Sequence, residues 1–437
     1  MAELPKGLIL NTTNCGTVKI IEFLGAGGQG SVYRVNYNGQ EKALKWYHSS
    51  YLKSMDKNGD KINKKKFYEN LKHNIQKGVP DKSFLWPQAL TEESNDSFGY
   101  IMELRPKEYK ELTDFLLLKT KFSSTIAMIN AAINIIQGFY VLHNDGYSYQ
   151  DLNNGGFFIN PKNGNVLICD NDNVAGQGIN FGISGKQRYM APEVVLGGTP
   201  NKYSDRYSLA VVLFRMLFME HPLEGKYSTP PCMIPEFERR FYGSDPVFIF
   251  DPKDKRNAAS PNMQRNAYRL WPLFPEYIKE LFITTFSKET IPEKRPIEKQ
   301  WLDAFIRLRG ETVLCDKCNE ENFIDQHCVT KCRKCGNVIK YESILKFKKY
   351  NIPISSGAVI SAAQIGDSHD LMGMYGYVIA NPKNEKMIAI KNISENIWNV
   401  ITPSGKSVQV KKNELVPAIN GLKIIINGHE GQIISKN

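Results

Sequence analysis

An α+β chain in three parts is predicted by three observations. A β-rich start with a glycine-dense turn gives way to helix-forming segments before residue 310. Two Cys-x-x-Cys pairs follow within residues 311–340. From 341 to 437, short apolar runs alternate with Gly, Asn, Pro and Ser turns every eight to twelve residues. With 437 residues and 42% hydrophobic content, the chain is long enough for two or three packed modules.

The N-terminal strands come first. An apolar run from Val18 to Phe23 enters Phe23-Leu-Gly-Ala-Gly-Gly-Gln-Gly-Ser-Val-Tyr33, in which Gly25, Gly27 and Gly30 give the spacing G-x-G-x-x-G. Such glycines, with Ala26 and Gly28 between them, let backbone N–H groups approach phosphate oxygens unobstructed by a Cβ. The same spacing also opens helices in dinucleotide-binding folds. Here Ser31 to Tyr37 is β-branched and aromatic and turns at Asn38-Gly39, so the glycines belong to a hairpin. A third strand, Glu41-Lys-Ala-Leu-Lys45, ends in a lysine that is either an exposed strand residue or a phosphate ligand.

Farther on, Asp151 and Asp170 stand beside two short apolar runs, in Tyr149-Gln-Asp-Leu-Asn-Asn-Gly155 and Val166-Leu-Ile-Cys-Asp-Asn-Asp172. Rigidly backed carboxylates suit phosphoryl transfer, one orienting a hydroxyl and the other holding a metal ion against phosphates. Taken alone, the pair reads equally as turn residues of a hairpin.

In their order and spacing, these motifs resemble a eukaryotic-type protein kinase domain over about 1–310, with an N-lobe to about residue 104 and a C-lobe from 105 to 310. The resemblance implies a bilobal fold that binds ATP with Mg²⁺ or Mn²⁺ and acts on a protein Ser/Thr hydroxyl. Gly25 to Val32 resembles the glycine-rich loop and Ala43-Leu-Lys45 the lysine strand. Glu69 is the expected helix αC partner of Lys45. Tyr100 to Leu104 resembles the hinge strand, implying Met102 as gatekeeper and backbone groups from Glu103 through Leu104 to Arg105 against adenine. Asp151 is the implied base and Asp170 the metal ligand. Tyr189-Met-Ala-Pro-Glu193 contains the A-P-E motif, Tyr203 to Ala210 resembles the start of helix αF, and Arg295 is the expected partner of Glu193.

Departures accompany the matches. Tyr149-Gln150-Asp151 lacks the histidine and arginine of H-R-D, so a phosphate clamp on the activation segment is not expected. Ser184 is that segment's hydroxyl residue besides Tyr189. Asn153 occupies the catalytic-lysine position, and Gly156, which cannot ligate a metal, the asparagine position. Asp170-Asn171-Asp172 replaces D-F-G, making Asp172 the expected second Mg²⁺ ligand, with Asn153 and Asn154 as further candidates. Two readings follow: a divergent active kinase, or a nucleotide-binding pseudokinase that scaffolds. The wording of these loops resembles the kinase of a bacterial kinase–phosphatase–von Willebrand A triad linked to tellurite and stress resistance. That resemblance implies a phosphatase and a von Willebrand A protein as partners.

Cys315-Asp-Lys-Cys318 and Cys332-Arg-Lys-Cys335 are separated by thirteen residues and present four thiolates suited to one tetrahedral Zn²⁺, as in a zinc ribbon. His327 and Cys328 lie between them without a turn and are poor ligands; Cys15, Cys169 and Cys232 read as core or surface residues. The all-β tail is faintly similar to forkhead-associated domains, although Ser368-His369 is its only trace of their phosphothreonine-binding pattern. An interaction module is expected. The formal charge of +11 is spread over loops such as Lys61–Lys66 and Lys331–Lys349, which points to a basic surface rather than a nucleic-acid site. A cytoplasmic location and no membrane span are expected: no secretion signal opens the chain, and the longest apolar stretch considered, Ser208 to Met219, contains Arg215.

Overall fold

A computed structural model of the protein describes residues 4–55, 62–181, 185–228, 234–324, 330–367, 370–381 and 384–436. Ser184, Cys232, His327, Cys328, Ser368 and His369 lie outside them.

Six antiparallel strands form the N-terminal sheet: β1 (Ile9–Asn11), β2 (Thr17–Ala26), β3 (Gly30–Tyr37), β4 (Gln40–Tyr47), β5 (Ala89–Leu90) and β6 (Gly99–Glu103). Their order is β1-β2-β3-β4-β6-β5. Period-two alternation sends Val18, Ile20, Tyr33 and Val35 inward, into a core with Leu44 and Ile101. Asn38 and Gly39 both take positive φ, 51° and 83°, the conformation that a two-residue hairpin between right-twisted strands requires. Pairing of Val32 with Lys45 and of Ala43 with Met102 then fixes the glycine turn, the lysine and the hinge strand in one register.

Helices α1 (Ser49–Met55) and α2 (Ile62–Lys77) pack beside this sheet through Leu52, Phe67 and Leu71. The helical lobe follows, with α3 (Leu112–Leu116), α4 (Thr125–Asn144), α5 (Pro192–Val195), α6 (Lys202–Phe218), α7 (Pro235–Arg239), α8 (Arg265–Leu270), α9 (Glu276–Phe286) and α10 (Glu298–Gly310). Ser124 caps α4 by accepting from the Ala127 N–H. Asn201 and Ser204 close a reciprocal capping box on α6. Helix α6 is buried on nearly every side, and Phe214 and Phe218 pack edge-on or tilted among Phe248, Trp271 and Phe282.

Among the described residues one helix, α4, is long and apolar enough to cross a membrane, contrary to the sequence reading that took Ser208 to Met219 as the longest apolar stretch. Its apolar residues Ile129, Ile133, Ile136 and Phe139 lie in the core of the helical lobe. Asn130, Asn134, Gln137 and Gly138 interrupt its apolar run in the sequence, so no unbroken apolar stretch of that length stands out there.

The C-terminal region is β-rich. A six-stranded antiparallel sheet (Asn351–Pro353, Ser343–Lys346, His429–Ser435, Lys423–Ile426, Trp398–Ile401, Ser407–Val410 in spatial order) accompanies a four-stranded one (Val359–Ser361, Met374–Asn381, Asn384–Asn392, Leu415–Pro417). Val313, Cys315, Ile324, Cys332 and Ile339 pack into the same core as Leu345, Trp398 and Ile424. The cysteine segment and the β tail therefore share one interior. Across the junction near residue 310, Arg309 is fully buried. It donates to Asn130 Oδ1 (3.0 Å) on α4 and to Ser361 Oγ and the Leu371 carbonyl (2.8 Å each) in the tail.

Candidate active site

Gly25, Gly27 and Gly28 each have open space where a Cβ would stand. Gly30 differs: a Cβ there would lie 2.4 Å from the Trp46 carbonyl, so its absence serves strand packing. Three glycines that the fold itself does not need leave a backbone cradle of the kind that phosphate oxygens occupy.

Lys45 is buried beneath this loop. Its ammonium donates to Gln29 Oε1 of the loop (2.9 Å), to Asp170 Oδ1 (3.2 Å) and to both oxygens of Asp172 (3.1 and 2.8 Å). Burial alone would favour the neutral amine, but the adjacent Asp172 and Asp170 carboxylates override it and hold the lysine pKa well above its ordinary value. The expected pairing with Glu69 is not the one formed: Glu69 is exposed on α2, and Asp172 takes its place. Helix α2 turns Phe67 and Leu71 into the core and uses Asn70 and Asn74 to bind the Val174 carbonyl (2.9 and 2.8 Å).

Asp172 also departs from expectation. Its side chain is 0% exposed, and Oδ2 accepts from Tyr47 Oη (2.7 Å) as well as from Lys45. With both oxygens so committed, it is an anchor for the lysine and does not fit a second metal. Asp170 does fit a cation site. It sits in the left-handed region (φ 55°) at the start of the 3-10 turn Asn171–Asn173, and its side chain stays 53% exposed beside Lys45. Asn171, buried where D-F-G has phenylalanine, ties the turn down through the Leu85 (2.9 Å) and Ile168 (2.8 Å) carbonyls.

The catalytic loop is held from below by Asp205 of α6, whose carboxylate accepts the Tyr149 N–H (2.6 Å), the Gln150 N–H (3.0 Å) and His143 Nε2 (3.2 Å). Gln150 takes φ 73°, a conformation that costs a non-glycine residue energy and that these bonds enforce. In place of an arginine clamp, its amide donates to the Ile179 carbonyl (2.6 Å) and accepts from Asn180 (3.0 Å). Asp151 follows. Burial, then the like charge of Asp170, push its carboxyl up to about 6, against the pull of Lys186 and a bond from Asn153. The Asn153 amide donates to Asp151 Oδ1 (3.3 Å), and its oxygen accepts from Gly155 N–H (3.0 Å) and Lys186 Nζ (3.0 Å). Asn154 bonds Thr113 and Tyr189. These engagements tie Asn153 and Asn154 into the loop. Gly156 stands against Tyr149, whose hydroxyl would lie 3.1 Å from a Cβ there.

Between the lobes, Val32, Ala43, Met102, Leu104, Leu167 and Cys169 belong to one apolar cluster, with Val32, Leu104, Leu167 and Cys169 only partly buried. The Glu103 carboxylate accepts from Lys42 and from Gln88 (2.8 Å), bonds of the side chain that do not involve the backbone groups expected against adenine. Sequence reasoning missed Gln29, Tyr47, Leu167, Lys186 and Asp205. Only Asp205 had a signal, its position in the segment resembling αF; the others act through tertiary proximity.

Glu193 and Arg295 form a bidentate pair (2.7 and 2.8 Å). In the cysteine segment, Cys315, Cys318, Cys332 and Cys335 bring their sulfurs within 4.8 Å of one another, with near pairs at 3.7 and 3.5 Å. Four bonds of 2.3 Å to a tetrahedral ion imply S···S edges of about 3.8 Å, so this donor set fits a zinc-sized ion. Asn322 and Asn337 amides (3.6 and 3.8 Å) and the Lys334 N–H (3.5 Å) donate to the sulfurs, the outer bonds that steady thiolates at a metal.

Residues 18–241 match the family profile described as protein kinase domain. The chain is 27% identical over 232 residues, 49% of its length, to a mimivirus (Acanthamoeba polyphaga mimivirus) protein described as a serine/threonine-protein kinase/receptor. It is 28% identical over 149 residues, 33% of its length, to protein kinase C delta type of Mus musculus. The matched regions span 13% and 22% of those relatives. With a nucleotide cradle, a buried lysine and two carboxylates converging on one cleft, and with that profile covering just over half of its length, the chain belongs to the protein kinase family.

Proposed function

We propose that the protein transfers the γ-phosphoryl group of Mg-ATP to a Ser or Thr hydroxyl of a protein. The observation that carries this reading is the convergence of Lys45, Asp170 and Asp151 below the open glycine turn. Lys45 would grip the α- and β-phosphates, and Asp170 would hold the divalent cation, which supplies charge neutralisation on the β,γ-oxygens. Asp151 accepts the hydroxyl proton as the new O–P bond forms and the bond to the ADP oxygen breaks.

The four cysteines are assigned a structural Zn²⁺, and the β tail an interaction role. A phosphatase and a von Willebrand A protein, acting with the kinase in the cytoplasm, complete the proposal; phosphopeptide binding by the tail would need residues 368–369. A second reading, a nucleotide-binding scaffold, is favoured by Gly156 at the metal-asparagine position and by the commitment of Asp172 to Lys45.

Labelled ATP with Mg²⁺ or Mn²⁺ and a generic Ser/Thr protein separates the two. Transfer that Asp151→Ala abolishes while nucleotide still binds supports the kinase. Binding without transfer in the native chain supports the scaffold.

A further inference from the structure

The catalytic loop of this protein lacks a cation. Two residues beyond the base stands Asn153, a neutral amide where the family resemblance places a lysine, and the Asp151–Gly156 loop contains no Lys or Arg. A migrating γ-phosphoryl group carries negative charge that needs a positive partner on the C-lobe side of the cleft. The Lys45 ammonium is committed at the opposite wall, to Asp172, Asp170 and Gln29.

A lysine arrives from another element. Lys186 lies in the activation segment, and its Nζ donates to Asn153 Oδ1 at 3.0 Å. It also stands 3.8 Å from where a Gly155 Cβ would be. The approach depends on the residue before it. Gly185 has φ +67°, and a Cβ there would meet Asp151 Oδ1 at 3.2 Å and the Gln150 carbonyl at 3.3 Å, so glycine lets the two segments run close together. Asp151 feels the result, since the Lys186 charge opposes the upward push on its carboxyl. The side chain is exposed, as a group that must meet an incoming phosphate has to be.

We infer that Lys186 supplies, from the activation segment, the phosphate-directed cation that the catalytic loop has lost, with Asn153 as its cradle. The cation comes from the activation segment and the position it serves is that beside Asn153. This rests on the phosphoryl-transfer reading above and adds a residue to it. In the transfer step the Lys186 ammonium gives up no proton; it offsets charge on the γ-oxygens while Asp151 takes the hydroxyl proton and ADP departs.

The test uses the full chain and four variants: Lys186→Ala, Lys186→Arg, Asn153→Lys and the double Lys186→Ala/Asn153→Lys. Lys186→Ala is expected to lower kcat about a hundredfold with Mg-ADP affinity unchanged. Lys186→Arg should retain most activity, and the double variant should recover at least about tenfold over Lys186→Ala by restoring a cation from the loop side. A purely structural role for Lys186 predicts the opposite pattern, no recovery in the double variant and weakened Mg-ADP binding. An undiminished kcat in Lys186→Ala also overturns the inference.

Calorimetry with Mg-AMP-PNP and Mg-ADP gives an arm independent of turnover. If the native chain binds both but transfers nothing, the kinase reading falls. Lys186 is then judged by whether Lys186→Ala weakens the triphosphate analogue about tenfold relative to the diphosphate; an unchanged ratio overturns it. If the native chain binds neither nucleotide, both readings fall together.

Discussion

Asp151 is the residue whose charge state should be visible from outside. A general base works deprotonated, and burial together with Asp170 lifts its carboxyl to about 6. Consequently kcat/KM should fall as pH drops through about 6, because that parameter reports the free enzyme. Asp170, Asp172 and Lys186 are the charged groups acting on it, so a bound cation at Asp170 should move the limb in the kcat profile to lower pH. The linkage to stability has a definite sign. A raised folded-state pKa means that the favourable contribution belongs to the protonated form, is complete below about 4 and is lost as pH rises through about 6. Asp151→Asn should therefore abolish transfer yet gain about 1 to 3 kcal/mol at pH 7. Denaturant melts of both proteins at pH 4 and pH 7 check this; an equal difference at the two values would refute it.

At the scale of elements, the contrast is between helix α2 and the turn carrying Asp170 and Asp172. Strand register was legible in the sequence: the glycine hairpin, Asn38-Gly39 and the alternation in β3 place Lys45 opposite Val32 without further help. Helical phase was not. A lysine-rich stretch before Phe67 obscures which face of α2 looks inward, and the face that does is set by Phe67 and Leu71. Nor does a sequence disclose that the Asp172 carboxylate will be fully enclosed, since Tyr47 and Lys45 come from a strand 125 and 127 residues away. The two acids give opposed expectations. Asp172→Ala, which strands a buried ammonium, should cost about 3 to 5 kcal/mol of stability and weaken Mg-nucleotide binding. Glu69→Gln should change neither by more than about 0.5 kcal/mol. Thermal melts and calorimetry on the pair distinguish these outcomes; a loss of binding confined to Glu69→Gln would restore the helix as the anchor.

For the whole molecule, the cysteine cluster and the tail cannot be treated separately from the lobes. Both cysteine pairs pointed in sequence to the four-sulfur cluster that the structure assembles, and six of the tail's ten described strands coincide with short apolar runs between turns. Of the other four, Asn351–Pro353 and Leu415–Pro417 are too short to carry a pattern of their own, and Ser343–Lys346 and His429–Ser435 each hold only two apolar residues, side by side. Contacts that join the parts, such as Arg309 with Asn130 and Ser361, have no local signature at all. Since Cys315 and Cys332 lie in the core shared with Trp398 and Ile424, stripping the proposed Zn²⁺ with a tight chelator should lower Tm and expose the tail to protease. Cys332→Ser should reproduce the effect. An unchanged melt and cleavage pattern after complete metal release would show that the cluster is dispensable to the interior.

Asp170 and Asp172, one suited to the cation and the other gripping Lys45, share a single short turn only two positions apart in the chain. On the proposed reading, occupancy of either site should steady that turn for the other, so that magnesium and nucleotide should reinforce one another reciprocally. Whatever factor the ion contributes to nucleotide affinity, nucleotide must return to the ion.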